Sequence, residues 1–173
     1  EPDIWMHPNG DVYEYMRVYV DDLAIIARNP GEIANILQSK YNFKLKGTGP
    51  ITFHLGMDFF RDSNGVLCIA ARKYVEKMVM TYEQHFGSKP SQKFSSPLEA
   101  GDHPEVDSSE FLDVTETQLY QSLIGTLQWA VSIGRFDITT AVMTLSGFRT
   151  MPRRGHLDRV KRVYGYLSKM KAA

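Results

Sequence analysis

The stretch MRVYVDDLAIIA, Met16 to Ala27, sets two adjacent carboxylates, Asp21 and Asp22, between two apolar runs. Val12 to Val20 and Leu23 to Ala27 are rich in Val, Ile and Tyr, which suit a pleated, half-buried strand, and only the Asp pair separates them. The pattern predicts a β-hairpin with Asp21 and Asp22 at its tip. Asp is at home in hairpin turns for backbone reasons, but Gly is the common second residue, and a second carboxylate there adds like-charge repulsion. Two explanations stand side by side: plain turn chemistry, or a divalent cation that offsets the repulsion. Mg²⁺ takes carboxylate oxygens in octahedral geometry, keeps several waters and often bridges to substrate phosphates.

Downstream, NPGEIANILQSKYNF carries a helix start: Asn29 as cap, Pro30 at the first helical position and Glu32 three after the cap, the pattern of a capping box. Ile33, Ile36, Leu37, Lys40 and Tyr41 then recur at helical spacing. From Phe43 to Leu67 the chain turns strand-like, with two apolar runs joined at DSNG, where Asn64 and Gly65 are turn residues. A second hairpin is expected there. In RKYVEKMVMTYEQHFG, Tyr74, Val75, Met78, Val79, Tyr82 and Phe86 line one helical face, a stripe read as core rather than as a cofactor box, and Gly87 ends the helix. Ser88 to Asp113 is rich in Pro and Ser, lacks periodicity, and reads as an exposed connector and candidate boundary. Three helices follow: Glu116 to Ile133 with Tyr120, Leu123, Leu127 and Val131 on one face, Asp137 to Arg149 capped by Asp137, and His156 to Lys171 with Leu157, Val160, Tyr164 and Leu167 inward.

At 173 residues, 43% hydrophobic and 23% charged, the composition is that of a globular domain or two small lobes. No apolar run approaches the roughly 18 to 20 residues of a membrane span. The chain starts at Glu1 with no basic-then-apolar leader, and a segment of something longer is expected. The single cysteine, Cys68, has no intramolecular partner and reads as a buried small hydrophobe. The net charge of zero hides a polarity: residues 94 to 116 hold seven acids and no Lys or Arg, and the last 23 residues hold seven bases against one acid, Asp158. That split suggests a solvated acidic connector and a basic tail, which either meets a phosphate backbone or is simply a solvated face.

With Tyr19 and Val20 in front, the Asp pair becomes YVDD, which resembles the active-site hairpin of reverse transcriptases. FKLKGTGPITFHLGMDF is similar to the segment after that hairpin in copia-type LTR retrotransposon polyproteins, and KFSSPLEAG resembles that family's Thr-Pro-Leu connector. LYQSLIGTLQWAVSIGRFDITTAVMTLSGF and MPRRGHLDRVKRVYGYLSKMK look like the region between polymerase and ribonuclease H. The resemblance implies an α+β fold: a partial antiparallel polymerase palm over 1–70 with the YVDD hairpin and a primer-grip-like hairpin, a thumb-like helix over 71–93, an acidic linker over 94–115, and a helical connection region over 116–173.

It also implies an RNA-directed DNA polymerase, in which a primer 3′ hydroxyl attacks the α-phosphate of a dNTP, pyrophosphate leaves, and two Mg²⁺ (or Mn²⁺) ions stabilise both oxygens. Asp21 and Asp22 would be two of three metal-binding catalytic carboxylates, and Tyr19 and Val20 would pack near the primer terminus. Lys46 would aid proton donation or charge stabilisation, its alternative being a solvated lysine at a strand end. His54, Leu55, Gly56 and Met57 would support the primer end; Arg72, Lys73 and Lys77 would touch the template-primer backbone or form a solvated helix face. Partners implied are an RNA or DNA template-primer, dNTP, and the rest of a polyprotein, namely integrase, upstream palm and fingers, and ribonuclease H, in an intracellular setting of cytoplasmic particle and nucleus.

The resemblance also implies a third carboxylate in a motif ahead of the YVDD strand, yet only 18 residues precede Tyr19, and Asp3 and Asp11 lie in or near the entry to the neighbouring strand. The expectation is a piece that binds metal weakly and nucleic acid non-specifically, with little or no polymerase activity alone. Two rivals are a non-catalytic nucleic-acid-binding module built on the basic C-terminal helix, and a metal-dependent nuclease using Asp21, Asp22 and Asp58.

Overall fold

The computed structural model describes residues 3–171, a mixed α+β chain with two small antiparallel sheets and five helices. It forms two compact units, Glu1–His54 and Leu55–Ala173. The division falls inside the span 1–70 expected as one palm, and 94–115 lies within the second unit.

The first unit is a three-stranded sheet in the order β1 (Ile4–Asn9), β2 (Val12–Tyr19), β3 (Asp22–Ile26), followed by α1 (Pro30–Tyr41) and the two-residue strand β4 (Phe53–His54). Strand β1 goes beyond the sequence reading. Asn9 pairs with Val12, so Gly10 and Asp11 make the turn, and Gly10 takes φ 66° without the steric cost a Cβ would bring. Along β2, Glu14, Met16 and Val18 are half-buried while Tyr13, Tyr15, Arg17 and Tyr19 are exposed, the period of two that a one-sided sheet demands. Helix α1 starts at Pro30 as expected, but Asn29 makes no side-chain cap bond; its Nδ2 reaches Glu32 Oε2 at 3.5 Å, and the capping box does not form. Residues 43–52 are irregular rather than strand, because Gly47, Gly49 and Pro50 interrupt the run. Among the described residues of this unit none is a fully buried hydrophobe, and His54 alone is buried.

The second unit opens with the antiparallel pair β5 (Met57–Arg61) and β6 (Leu67–Ala70). Their loop is an Asx turn: Asp62 Oδ1 accepts from the backbone N–H of Asn64 and of Val66, both at 2.9 Å. Cys68, expected to be buried, is half-buried on β6. Helices α2 (Arg72–Phe86), α3 (Val114–Ser132), α4 (Thr139–Ser146) and α5 (Arg154–Lys169) carry the hydrophobic core. Val75, Met78, Val79 and Tyr82 of α2 meet Tyr120, Leu123, Ile124 and Leu127 of α3 and Leu157, Val160, Tyr164 and Leu167 of α5 in one cluster, on the faces their spacing predicts. Gly87 ends α2 at φ 67°.

Helix α3 begins two residues earlier than expected because Asp113 and Glu116 form a reciprocal capping box, at 2.8 and 3.2 Å. Asp137 does not cap α4. It sits in a 3₁₀ turn, Phe136–Ile138, and receives both Nε and Nη2 of Arg135 at 2.9 and 2.7 Å. Arg135 is 1% exposed. Burial pushes the Asp137 carboxyl up, and the Arg135 fork together with hydrogen bonds from Tyr166 and the backbone outweighs it, so the net displacement is downward.

The stretch 88–113, expected as an exposed connector, is a strap bound along α5. Gln92 donates to Ser168 Oγ at 3.0 Å, Ser96 O accepts from Arg162 Nε at 3.3 Å, and Arg162 also pairs with Glu99. Arg159 grips both oxygens of Asp102 at 2.8 Å and reaches Asp107 at 2.6 Å. Arg154 pairs with Glu110 and Glu116, and the His156 ring donates to Pro104 O at 2.9 Å while accepting from Arg153 N. Two glycines of α5 mark the closest approaches. A Cβ at Gly155 would lie 1.9 Å from Asp107 Oδ2, and one at Gly165 would lie 2.3 Å from Ser91 O. Asp102 and Asp107 of the acidic segment are therefore paired and covered, while Glu99, Glu105 and Glu110 stay largely exposed. Hydrogen bonds from Ser109 and Arg159, against burial, draw the Asp107 carboxyl down to about 2. Arg159 likewise lowers Asp102. No helix among the described residues is long and apolar enough to cross a membrane.

Because the folded pKa of Asp107 is depressed, its contribution is present above the unfolded pKa near 4 and is lost as pH falls toward about 2. Thermal melts of the wild type and Asp107→Asn should differ most at neutral pH and converge by about pH 2. Gly165→Ala should destabilise the second unit by about 1–3 kcal/mol in denaturant titrations, because the added methyl meets the Ser91 backbone and the Phe94 ring.

Candidate functional site

Tyr19 pairs with Asp22, so the two residues that reverse the chain are Val20 and Asp21. The tip is displaced by one residue from the Asp21–Asp22 turn expected, and Asp22 is the first residue of β3. Val20 takes φ 53°, a left-handed conformation that a β-branched side chain adopts only at a cost of roughly 1–3 kcal/mol. It is 81% exposed, with little packing to offset that cost. Positive φ at the first turn position alone is the pattern of a II′ turn, where Gly is the favoured residue.

The strained turn leaves Asp21 and Asp22 exposed and consecutive, one in the turn and one opposite Tyr19. His54 is brought to the same place: its Nδ1 lies 3.7 Å from Asp22 Oδ2, and its Nε2 is buried without a hydrogen-bond partner. The chemistry on offer is two hard oxygen donors of like charge beside an imidazole. Such a pair fits a divalent cation with several water ligands. Among the described residues no group of three or more His, Cys, Asp or Glu is close enough to enclose a metal ion. Asp58 is engaged elsewhere, accepting from Lys73 N at 3.1 Å at the start of α2 and lying 3.5 Å from Lys73 Nζ.

The remaining expected residues are distributed. Lys46 is exposed in the irregular 43–52 segment, and Tyr19 is 47% exposed at the end of β2. Leu55 and Gly56 form a tight turn at φ 51° and 87°, leading into Met57 at the start of β5. A Cβ at Gly56 would lie 3.6 Å from Ile133 Cδ1 and 3.7 Å from Trp129 Nε1, so this turn rests on the C-terminal end of α3. Tyr74 steadies the same corner through a bond from its hydroxyl to Thr126 O at 3.1 Å. Trp129 and Ile133 escaped the sequence reading; Gly56, a small residue in an apolar run, was the available signal. Arg72 and Lys77 are exposed on α2, while Lys73 is tied to Asp58.

Three curated proteins align with most of the chain. The transposon Ty5-1 protein of Saccharomyces cerevisiae is 29% identical over 170 residues, 96% of this chain and 53% of its own length. The retrovirus-related Pol polyprotein from transposon RE1 of Arabidopsis thaliana is 27% identical over 169 residues, 97% of this chain and 11% of its own. That from transposon TNT 1-94 of Nicotiana tabacum is 30% identical over 158 residues, 87% of this chain and 11% of its own. The chain spans about half the length of the first and about a tenth of the other two. No protein-family model matches the chain, and no solved structure matches it. Similarity along nearly the whole chain to transposon proteins, two of them Pol polyproteins, supports a stretch of a retrotransposon polyprotein.

If the turn is strained at Val20, Val20→Gly should stabilise the hairpin by about 1 kcal/mol. Hydrogen exchange of the β2 and β3 amides in the full chain should slow accordingly.

Proposed function

We propose that this chain is part of the polymerase region of a copia-type retrotransposon reverse transcriptase, and that Asp21 and Asp22 supply two of the carboxylates that hold Mg²⁺ for nucleotidyl transfer. One observation carries the reading: the β2–β3 turn holds a valine in a left-handed conformation and in doing so displays two consecutive, exposed carboxylates beside a buried histidine. The similarity to transposon Pol polyproteins supports the same assignment.

When bound, the ions would stabilise charge on the attacking hydroxyl and the departing pyrophosphate. The chain's own residues would do the rest. Asp21 and Asp22 would hold the cation at the end of a hydrogen-bonded strand pair, where the carboxylates are placed by backbone geometry. Tyr19 offers an exposed ring beside them against which a primer terminus can rest. The Leu55–Gly56 turn, seated on Trp129 and Ile133, gives a rigid support for the primer backbone, with Gly56 permitting close approach. Lys46 is solvent-accessible and its ammonium is suited to charge stabilisation at the leaving phosphates. Asp58 accepts from the Lys73 backbone N–H and lies beside the Lys73 ammonium, so its carboxylate already has partners within its own unit.

With two carboxylates and, among the described residues, no group of three that could enclose a metal ion, metal affinity should be weak, and the purified chain should add no nucleotides to a primed template. Loss of an outer-shell partner already costs metal sites about tenfold, so Asp21→Asn with Asp22→Asn should weaken Mn²⁺ binding by at least that factor, read from the free-ion signal in electron paramagnetic resonance. Equal Mn²⁺ binding by the wild type and the double variant would refute the assignment.

A further inference from the structure

Among the described residues of the first unit His54 is the one that is buried, and the hydrogen bonding of its ring is unfinished. Its side chain is 9% exposed. Nδ1 stands 3.7 Å from Asp22 Oδ2, beyond hydrogen-bond reach, and Nε2 is buried with no partner. A neutral imidazole carries one proton for two nitrogens. With the proton on Nε2, the Nδ1 lone pair faces a carboxylate oxygen, and two electron-rich atoms oppose each other across the gap. With the proton on Nδ1, its N–H stops short of the carboxylate and a bare Nε2 lone pair is buried. Neither form is satisfied by the protein alone, and a buried polar group in that condition costs free energy.

The other histidines lack this geometry. His156 spends both nitrogens, on Pro104 O at 2.9 Å and on the Arg153 backbone N–H at 3.0 Å. His103 Nδ1 lies 2.8 Å from Glu105 Oε1, a closed hydrogen-bonded pair on the surface, and His7 and His85 are exposed.

A gap of 3.7 Å is close to the spacing of two atoms that share one cation. Donors about 2.1 Å from a metal stand about 3.0 Å apart at octahedral angles and about 3.4 Å apart at tetrahedral ones. A small rotation of the Asp22 side chain, which is 69% exposed, closes the difference. The ring is held by its burial, so its nitrogen is in place before a cation arrives. The set is open: among the described residues no three such groups enclose a metal, and water fills the other positions.

We propose that His54 Nδ1 is a nitrogen ligand to the cation held at Asp22, and that it shifts the preference of the site from Mg²⁺ toward divalent transition-metal ions. The inference rests on the metal assignment made above to Asp21 and Asp22, and adds a donor of different chemistry. Carboxylate and water serve Mg²⁺ and Mn²⁺ alike, whereas imidazole suits transition metals and Mg²⁺ keeps to oxygen. Two carboxylates alone discriminate little between these ions; a nitrogen in place of one water does.

The test is pulsed electron paramagnetic resonance of Mn²⁺ added to the full chain, with and without ¹⁵N-labelled histidine. A directly bound imidazole nitrogen modulates the electron spin echo at its own nuclear frequency, so labelling should replace the ¹⁴N modulation by that of ¹⁵N. His54→Phe should abolish the modulation and weaken Mn²⁺ binding about tenfold, while Mg²⁺ affinity, read by competition, stays unchanged. Because His54 is buried and its variant need not fold, the assignment is also made in folded chains: His7→Gln, His85→Gln and His103→Gln, all at exposed positions, should each keep the modulation. Mn²⁺ binding that depends on Asp21 and Asp22 but shows no histidine modulation in the wild type overturns this proposal and leaves the carboxylate assignment standing. Loss of the modulation in His103→Gln, or an equal loss of Mg²⁺ and Mn²⁺ affinity in a folded His54→Phe chain, overturns it as well. Mn²⁺ binding that survives Asp21→Asn with Asp22→Asn refutes the carboxylate assignment itself and this inference with it.

Discussion

Strands β2 and β3 pair so that Tyr19 faces Asp22, which leaves two residues to reverse the chain. This constraint decides what the first unit can present. A tight reversal with the native strand twist asks for positive φ, and the residue that supplies it is a valine. Were Asp21 and Asp22 the two turn residues, the pairing would slip and β3 would show its other face, since a one-residue shift inverts every side chain of a strand. The observed register instead places Tyr13, Tyr15, Arg17 and Tyr19 on the exposed face of β2 and puts Asp22 opposite the last of them. With no fully buried hydrophobe among its described residues, this unit is held by strand pairing and partial cover. An exposed apolar sheet face of that kind favours association with other surfaces.

The second unit rests on a different balance. Its helices share a hydrophobic core of ordinary kind, but the strap is joined to α5 by guanidinium–carboxylate pairs and by two glycines, Gly155 admitting the Asp107 carboxylate and Gly165 the Ser91 backbone. Asp102 and Asp107 are well covered, and each has more than one donor, which is the condition under which a partly buried ion pair holds together. The internal pairing withdraws Arg159 and Arg162 from solvent, while Arg72 and Arg149 stay exposed.

Much of this was legible in the sequence. The core faces of α2, α3 and α5 followed from helical spacing, and Gly87 as a helix end followed from its freedom at positive φ. The hairpin was legible too, though its turn was misplaced by one residue. The cause is that YVDD offers no Gly or Asn to mark the left-handed position, and intrinsic preference points away from Val20. The strap was read as solvated because Ser, Pro and acidic residues lack periodicity, and its order comes from arginines some sixty positions along the chain, a contact that no local pattern encodes. Asp137 looked like a cap for the same reason: its partner Arg135 is two residues away, but the burial that makes the pair matter is tertiary. In the candidate site the two carboxylates were visible, whereas the approach of His54 to Asp22 and the seat of Gly56 on Trp129 and Ile133 depend on chain crossings that spacing cannot show.

The central claim is that a strained two-residue turn displays Asp21 and Asp22 as ligands for a divalent cation. Crystals of the full chain soaked in Mn²⁺ and measured at the manganese absorption edge test it most directly. The account predicts an anomalous peak in contact with carboxylate oxygens of Asp21 and Asp22. Peaks found elsewhere on the chain, with none at the β2–β3 turn, would contradict it.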